Sequence, residues 1–115
     1  MNNDEILEVL KKHQDFARGK IGGVRGDLRL VSLAGLKLDK ARLPGITFTG
    51  SNLRGCSFRF ADLTDADLYG ADLTEANLAS AKLDNADFRG AILIKTNFEH
   101  ASIVNADFRL SLIHI

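Results

Sequence analysis

The 115-residue chain has no tryptophan, one tyrosine, one proline and one cysteine, and its 15 basic residues balance 15 acidic ones. Each scarcity excludes something. A lone Cys56 cannot close an intramolecular disulfide or build a zinc site by itself, so no disulfide framework, metal centre or cofactor is expected. A net charge of zero gives no electrostatic reason to expect a nucleic-acid or membrane partner. No run approaches the roughly 18 apolar residues of a membrane span. Met1 leads into Asn-Asn-Asp-Glu rather than into a basic, then apolar, leader, and a cytoplasmic protein is the expectation. A hydrophobic fraction of 45% excludes a disordered chain, because enough apolar surface exists to offset the ordering entropy.

What the chain does have is a repeat of five residues. A large apolar side chain recurs from Leu28 to Phe108 at 17 consecutive positions, comprising 11 Leu, 5 Phe and 1 Ile, without exception over residues 26 to 110. Two residues before each lies a second series, from Gly26 to Ala106, in which 10 of 17 are alanine and Ser51, Cys56 and Thr96 are also small. Neither a helix, with apolar residues at about 3.6 spacing, nor a strand, with spacing 2, accommodates such a period. Each unit of small, polar, large, polar, polar predicts one short extended edge with two inward side chains, followed by a turn. Gly35, Gly45, Gly50, Gly55, Gly70 and Gly90 all take the fifth position, where a turn uses glycine's freedom. Four such edges close a square. With a 20-residue period, Phe48, Phe88 and Phe108 share one column and Phe58 and Phe98 the opposite one, so Phe48 faces Phe58 and Phe88 faces Phe98. Fourth-position residues such as Thr74 are expected to point outward.

The run Ala61-Asp62-Leu63-Thr64-Asp65, Ala66-Asp67-Leu68-Tyr69-Gly70, Ala71-Asp72-Leu73-Thr74-Glu75 resembles the pentapeptide-repeat family, whose units read roughly Ala-Asp/Asn-Leu-x-x. The resemblance covers residues 26 to 110. It implies an all-β solenoid, a right-handed quadrilateral β-helix of about four coils. It also makes the Asp or Asn at nine of 17 second positions part of a structural consensus rather than paired catalytic carboxylates.

Solenoid ends need covering. Asn2 and Glu5 have the spacing of a capping box, Ile6, Leu10, His13 and Ala17 share a stripe, and Gly19 is a plausible stop. An N-terminal α-helical cap over about residues 3 to 18 is expected, with residues 1–25 as cap and connection and 26–115 as β-helix in one domain. No comparable helix follows the last unit, which reads Ser111-Leu112-Ile113-His114-Ile115. Outward Ile92 and Ile94 fall one coil below Leu112 and His114, and adjacent apolar surface of this kind marks interfaces. Ile92, Ile94, Leu112, His114 and Ile115 are therefore the candidate interface, for a homodimer or another protein partner.

Catalysis requires a nucleophile, base or metal cluster in mutual reach. His13 lies on the helix stripe and reads as a packing or capping contact, His100 has no spaced partner, and Cys56 takes a small inward position expected to be inert. No catalytic residues and no enzyme are expected. Charge divides along the chain, with residues 28 to 60 at 6 − 1 = +5 and residues 61 to 107 at 3 − 9 = −6. Asp62, Asp65, Asp67, Asp72 and Glu75 form a candidate acidic face. Some pentapeptide-repeat proteins act on DNA gyrase as acidic imitations of DNA, and the resemblance makes that the alternative. A neutral chain with a basic half departs from it, so the expectation is a cytoplasmic, bacterial, non-enzymatic scaffold that binds a protein.

Overall fold

The computed structural model describes the chain from residue 1 to residue 114, with side chains through Ile113. One helix, α1 (Asn3–Ala17), is followed by units that pair every twentieth residue in parallel: Asp27 with Thr47, Thr47 with Asp67, Asp67 with Asp87, and Asp87 with Asp107 on one side. Equivalent ladders run through Ser32, Lys37 and Arg42, one on each remaining side. A constant offset of 20 residues is four units of five, the square coil expected from the repeat.

Regular strand is scarce all the same. Among the described residues only β1 (Ile92–Ile94) and β2 (Leu112–His114) pair over three consecutive residues. Elsewhere each side makes a single rung, because two residues of every five are taken by a corner. All 17 fifth positions from Leu30 to Leu110 have φ between 55° and 77°, eleven of them not glycine. Across most corners, though not at Val31, whose N–H donates to Ser51 Oγ instead, the next unit's first N–H donates back to the third residue's carbonyl, as Ala71 does to Leu68 at 3.1 Å. Such a bond, with positive φ confined to the third of four residues, follows the type II pattern.

The unit 66–70 shows why its sequence reads as it does. The Ala66 N–H donates to Leu63, Asp67 to Ile46 in the coil below, and Leu68 and Gly70 to Asp87 and Arg89 in the coil above, all at 2.8–3.0 Å. Only the fourth N–H, at Tyr69, lacks a backbone acceptor, and Asp67 Oδ1 accepts it at 3.0 Å. The same side-chain bond occurs at Asp27, Asn52, Asp62, Asp72, Asn77, Asp87, Asn97 and Asp107. Thus the consensus Asp/Asn satisfies the one backbone donor the ladder leaves over. At Ser57 and Ser102 an aspartate one coil earlier substitutes: Asp39 accepts from Arg59 N and Ser57 Oγ, and Asp84 from Val104 N and Ser102 Oγ.

The first and third side chains fill the interior. Leu43, Phe48, Leu53, Phe58, Leu63, Leu68, Leu73, Leu78, Leu83 and Phe88 are fully buried, as are the first-position alanines from Ala61 to Ala91. Phe48 meets Phe58 edge-on at 6.0 Å and Phe88 meets Phe98 likewise at 6.0 Å, the expected pairs. Thr74 departs from expectation, being only 8% exposed. Its hydroxyl turns onto Asp72 Oδ1 at 2.6 Å, which folds it against the wall instead of into solvent.

Helix α1 carries the expected capping box: Asn2 Oδ1 accepts from Glu5 N at 2.8 Å, and Glu5 Oε1 accepts from Asn2 N at 3.1 Å. Ile6 and Leu10 join the core and Val9 packs against it, whereas Leu7 is half exposed. Gln14 Oε1 accepts the Arg42 N–H at 3.1 Å, a group whose counterpart one coil later, at Asp62, donates to Ala41.

Corner geometry gives a test that involves no contact. A Cβ at Gly35 (φ 77°) or Gly70 (φ 65°) would meet nothing within 4 Å. Gly35→Ala and Gly70→Ala should each lower stability by about 1–2 kcal/mol through left-handed strain alone. Urea unfolding checks this, and a neutral result at both sites would mean that the corners are not held in this conformation.

Candidate functional site

At the C-terminal end of the described stack the interior becomes accessible. Leu93 is buried, but Phe98, Ala101, Ala106 and Phe108 are only partly covered, and Ile103 and Ile113 are 46% and 56% exposed. The parallel pairing of β1 with β2 sets Ile92 beside Leu112 and Ile94 beside His114, in the expected register. Leu112 is 61% exposed while Ile92 and Ile94 are half-buried, so the wall and the end form one apolar surface. Ile115 and the side chain of His114 lie outside the described residues. Val104, on the opposite side of the square, and Leu110, at the corner before Leu112, are further exposed apolar residues at this end and were not among the expected residues. Their signal was present: each puts an apolar side chain in a fourth or fifth position.

The acidic candidates do not gather. Asp62 and Asp65 lie on one side of the square, Asp67 on the next and Asp72 with Glu75 on the third, since consecutive units occupy consecutive sides. Asp62 stands between Arg42 and Lys82 in its ladder. Asp72 pairs with Arg54 at 3.2 Å, and its carboxyl is held below the usual range by bonds from Thr74 and Arg54 that outweigh its partial burial. The consensus carboxylates are committed to their own backbone; Asp65 and Glu75, at exposed corners, are the two free of that duty. The five form a belt, correcting the expectation of a face.

A different acidic ladder is more highly organised. Asp87 and Asp107 are consecutive rungs, bracketed by Arg89 and Arg109, with Asp87–Arg89 at 2.9 Å and Asp107–Arg109 at 2.6 Å. Arg109's bonds hold the Asp107 carboxyl down to about 2. The Arg89 guanidinium also sits 5.3 Å above the Tyr69 ring. These exposed pairs set the wall's pattern more than its stability.

The isolated reactive groups are engaged structurally. Cys56 is fully buried, its Sγ bonded to Leu33 O at 2.9 Å, and burial pushes the thiol up to about 11, far from a reactive thiolate. Ser51 and Thr96, at equivalent first positions, likewise donate to Leu28 O and Leu73 O. His100 is exposed beside Glu99 at 3.5 Å. His13, by contrast, is fully buried and bonded at both ring nitrogens. No helix among the described residues is long and apolar enough to cross a membrane.

No curated protein matches the chain. Among solved structures, a pentapeptide repeat protein from the Arabidopsis thaliana thylakoid lumen is 33% identical over 73% of this chain, with a TM-score of 0.62. One from Nostoc PCC 7120 is 25% identical over 93%, with a TM-score of 0.68. A third, from the cyanobacterium Cyanothece 51142, is 26% identical over 78%, with a TM-score of 0.51. The chain spans 62%, 75% and 62% of those proteins' respective lengths. The Pentapeptide repeats family matches in 8 copies across residues 27–59, 45–78 and 71–109. With the 20-residue register and the filled square interior, these matches place the chain in the pentapeptide-repeat family of right-handed quadrilateral β-helices.

Proposed function

We propose that this chain is a non-catalytic scaffold of about four coils, capped by α1 at its start. Its apolar C-terminal surface takes a second copy of the chain. The observation that carries the reading is the contrast between ends. At the start, α1 covers Leu28 and Ile46 and supplies side-chain partners to Gly26, Arg42 and Pro44; at the other end Leu112, Ile113 and Ile103 stand exposed over half-covered phenylalanines. Apolar surface of that extent gains by leaving water. A two-fold contact uses the same patch on both partners and closes upon itself, which avoids open-ended edge pairing. The interior, filled by its own side chains, leaves walls and ends as the working surfaces, and the cytoplasm is the compartment that goes with this reading. Imitation of DNA toward a topoisomerase finds less support, because the acidic residues are spread over three sides and partly neutralised.

Sedimentation velocity tests the assembly. The wild type should be dimeric at tens of micromolar, on the order expected of a modest apolar interface. Ile92→Asp with Ile94→Asp, and separately the milder Leu112→Asp at an exposed position, should give monomers of unchanged fold. A wild-type monomer, or variants that still dimerise, would remove this surface as the interface.

A further inference from the structure

His13 is the point at which α1 is tied to the first coil. Its Nε2 lies 2.8 Å from Pro44 O, and its Nδ1 accepts the Gly26 N–H at 2.8 Å. A neutral ring with its proton on Nε2 satisfies both at once, because one nitrogen must donate and the other accept. Gly26 stands where alanine is the rule, and a Cβ there would come within 3.3 Å of His13 Cβ and Nδ1 and within 3.2 Å of Ile46 Cδ1. The ring is also tilted against Phe16, with centroids 5.8 Å apart. Two chain segments far apart in sequence, the entry at Gly26 and the corner at Pro44, therefore converge on one buried imidazole.

We propose that this contact is a proton-sensitive latch: with His13 neutral α1 stays docked, and protonation of the ring releases the helix and bares the edge of the first coil. A second ring proton could be held only at Nδ1, where it would confront the Gly26 N–H donor-to-donor on a buried ring. The charged groups around the contact do not offset this. Arg25, on the connection, bonds Gly45 O through Nε at 2.9 Å and adds positive charge beside the ring. Lys12 of α1 and Asp27 of the first coil line, with Arg25, a neighbouring cavity of about 340 Å³, and Asp27 is already paired with Arg29 at 2.9 Å. From the rest of the first coil Arg42 approaches α1 through its backbone N–H. Burial, foremost, and Arg25 hold the His13 pKa below its ordinary value against the opposing bond to Pro44.

The sign follows from linkage. The released state has an ordinary histidine, near 6.5, and binds a proton that the docked state refuses, so docking is fully favoured above about 6.5 and weakens as pH falls. The population of released helix should rise by up to tenfold per pH unit in that window. Release strips the partners from Gly26 N–H, Arg42 N–H and Pro44 O and uncovers Ile6, Leu10 and Ile46.

Amide hydrogen exchange between pH 7.5 and 5, expressed as protection relative to each amide's intrinsic rate, reads this directly. Gly26 and the α1 amides should lose protection by about tenfold or more over that interval, while Leu73 in the central coils keeps its own. His13→Gln, which can retain one donor and one acceptor, should hold Gly26 protection constant with pH. Constant wild-type protection at Gly26, an equal loss at Leu73, or the same pH dependence in His13→Gln would each overturn the latch. Imidazole nitrogen NMR of the wild type supplies an independent readout: His13 should show the Nε2–H tautomer and titrate below the ordinary histidine value of about 6.5, and titration at or above that value would refute the proposal.

Discussion

Leu73→Ala should cost about 2–5 kcal/mol of stability, enough to move the urea midpoint well outside error without altering the slope. Leu73 is fully buried between Leu53 and Leu93 in its column, with neither of them able to follow a shrinking side chain inward. Its backbone is pinned on both sides: its N–H donates to Ile92 O at 2.8 Å, and its carbonyl accepts from Ala76 N at 2.9 Å and from Thr96 Oγ1 at 2.8 Å. A core that cannot collapse keeps the full cavity term in addition to the lost transfer energy. Thr74→Ala is the informative neighbour. Because its hydroxyl bonds a carboxylate from a mostly covered position, about 1 kcal/mol is expected there. Glu75→Ala, exposed and already at positive φ, should change stability by no more than about 0.5 kcal/mol. The order Leu73, Thr74, Glu75 measures inward, folded-back and outward positions within one unit, and equal effects at Leu73 and Glu75 would be incompatible with the square interior.

Much of this was legible because the repeat is short and each position has one job. A large residue every fifth place admits no helix or plain sheet, and the Phe48–Phe58 and Phe88–Phe98 pairs follow once the coil is four units long. The Asn2–Glu5 box is local and could be read from spacing alone. The role of the consensus Asp/Asn required the backbone: only after four of five N–H groups find ladder or corner partners does the fourth-position donor stand out. His13 and Gln14 meeting Gly26, Pro44 and Arg42 depends on the angle at which α1 crosses the first coil, and no periodicity encodes that angle. The acidic residues were grouped by sequence adjacency, whereas in a square coil neighbours along the chain turn away from one another and neighbours in space lie 20 residues apart.

The second large effect is expected at Phe88, beneath the exposed end. Phe88 is fully buried and is the junction of three rings: edge-on to Phe98 at 6.0 Å, and stacked on Phe108 at 4.9 Å with only 4° between planes. Phe98 and Phe108 also meet edge-on at 5.9 Å, closing a triangle whose outer members are partly open to solvent. Phe88→Ala should cost about 3–5 kcal/mol, with a further contribution of about 0.5–1.5 kcal/mol from each lost ring pair. Phe48→Ala removes an equally buried ring that has one aromatic partner, Phe58, so it should cost less than Phe88→Ala. Leucine already fills the same column at Leu28 and Leu68, and Phe88→Leu should therefore be the mildest of the three. Beyond stability, Phe88 supports the layer from which Phe108 and the β1–β2 pairing rise. If that layer is the surface that meets a second chain, Phe88→Ala should weaken dimerisation at temperatures where the monomer remains folded, and Phe48→Ala, two coils away, should not. Chemical unfolding and sedimentation of the same samples separate the two effects. Equal losses of assembly at Phe48 and Phe88 would trace dimerisation to general destabilisation and not to the apolar end.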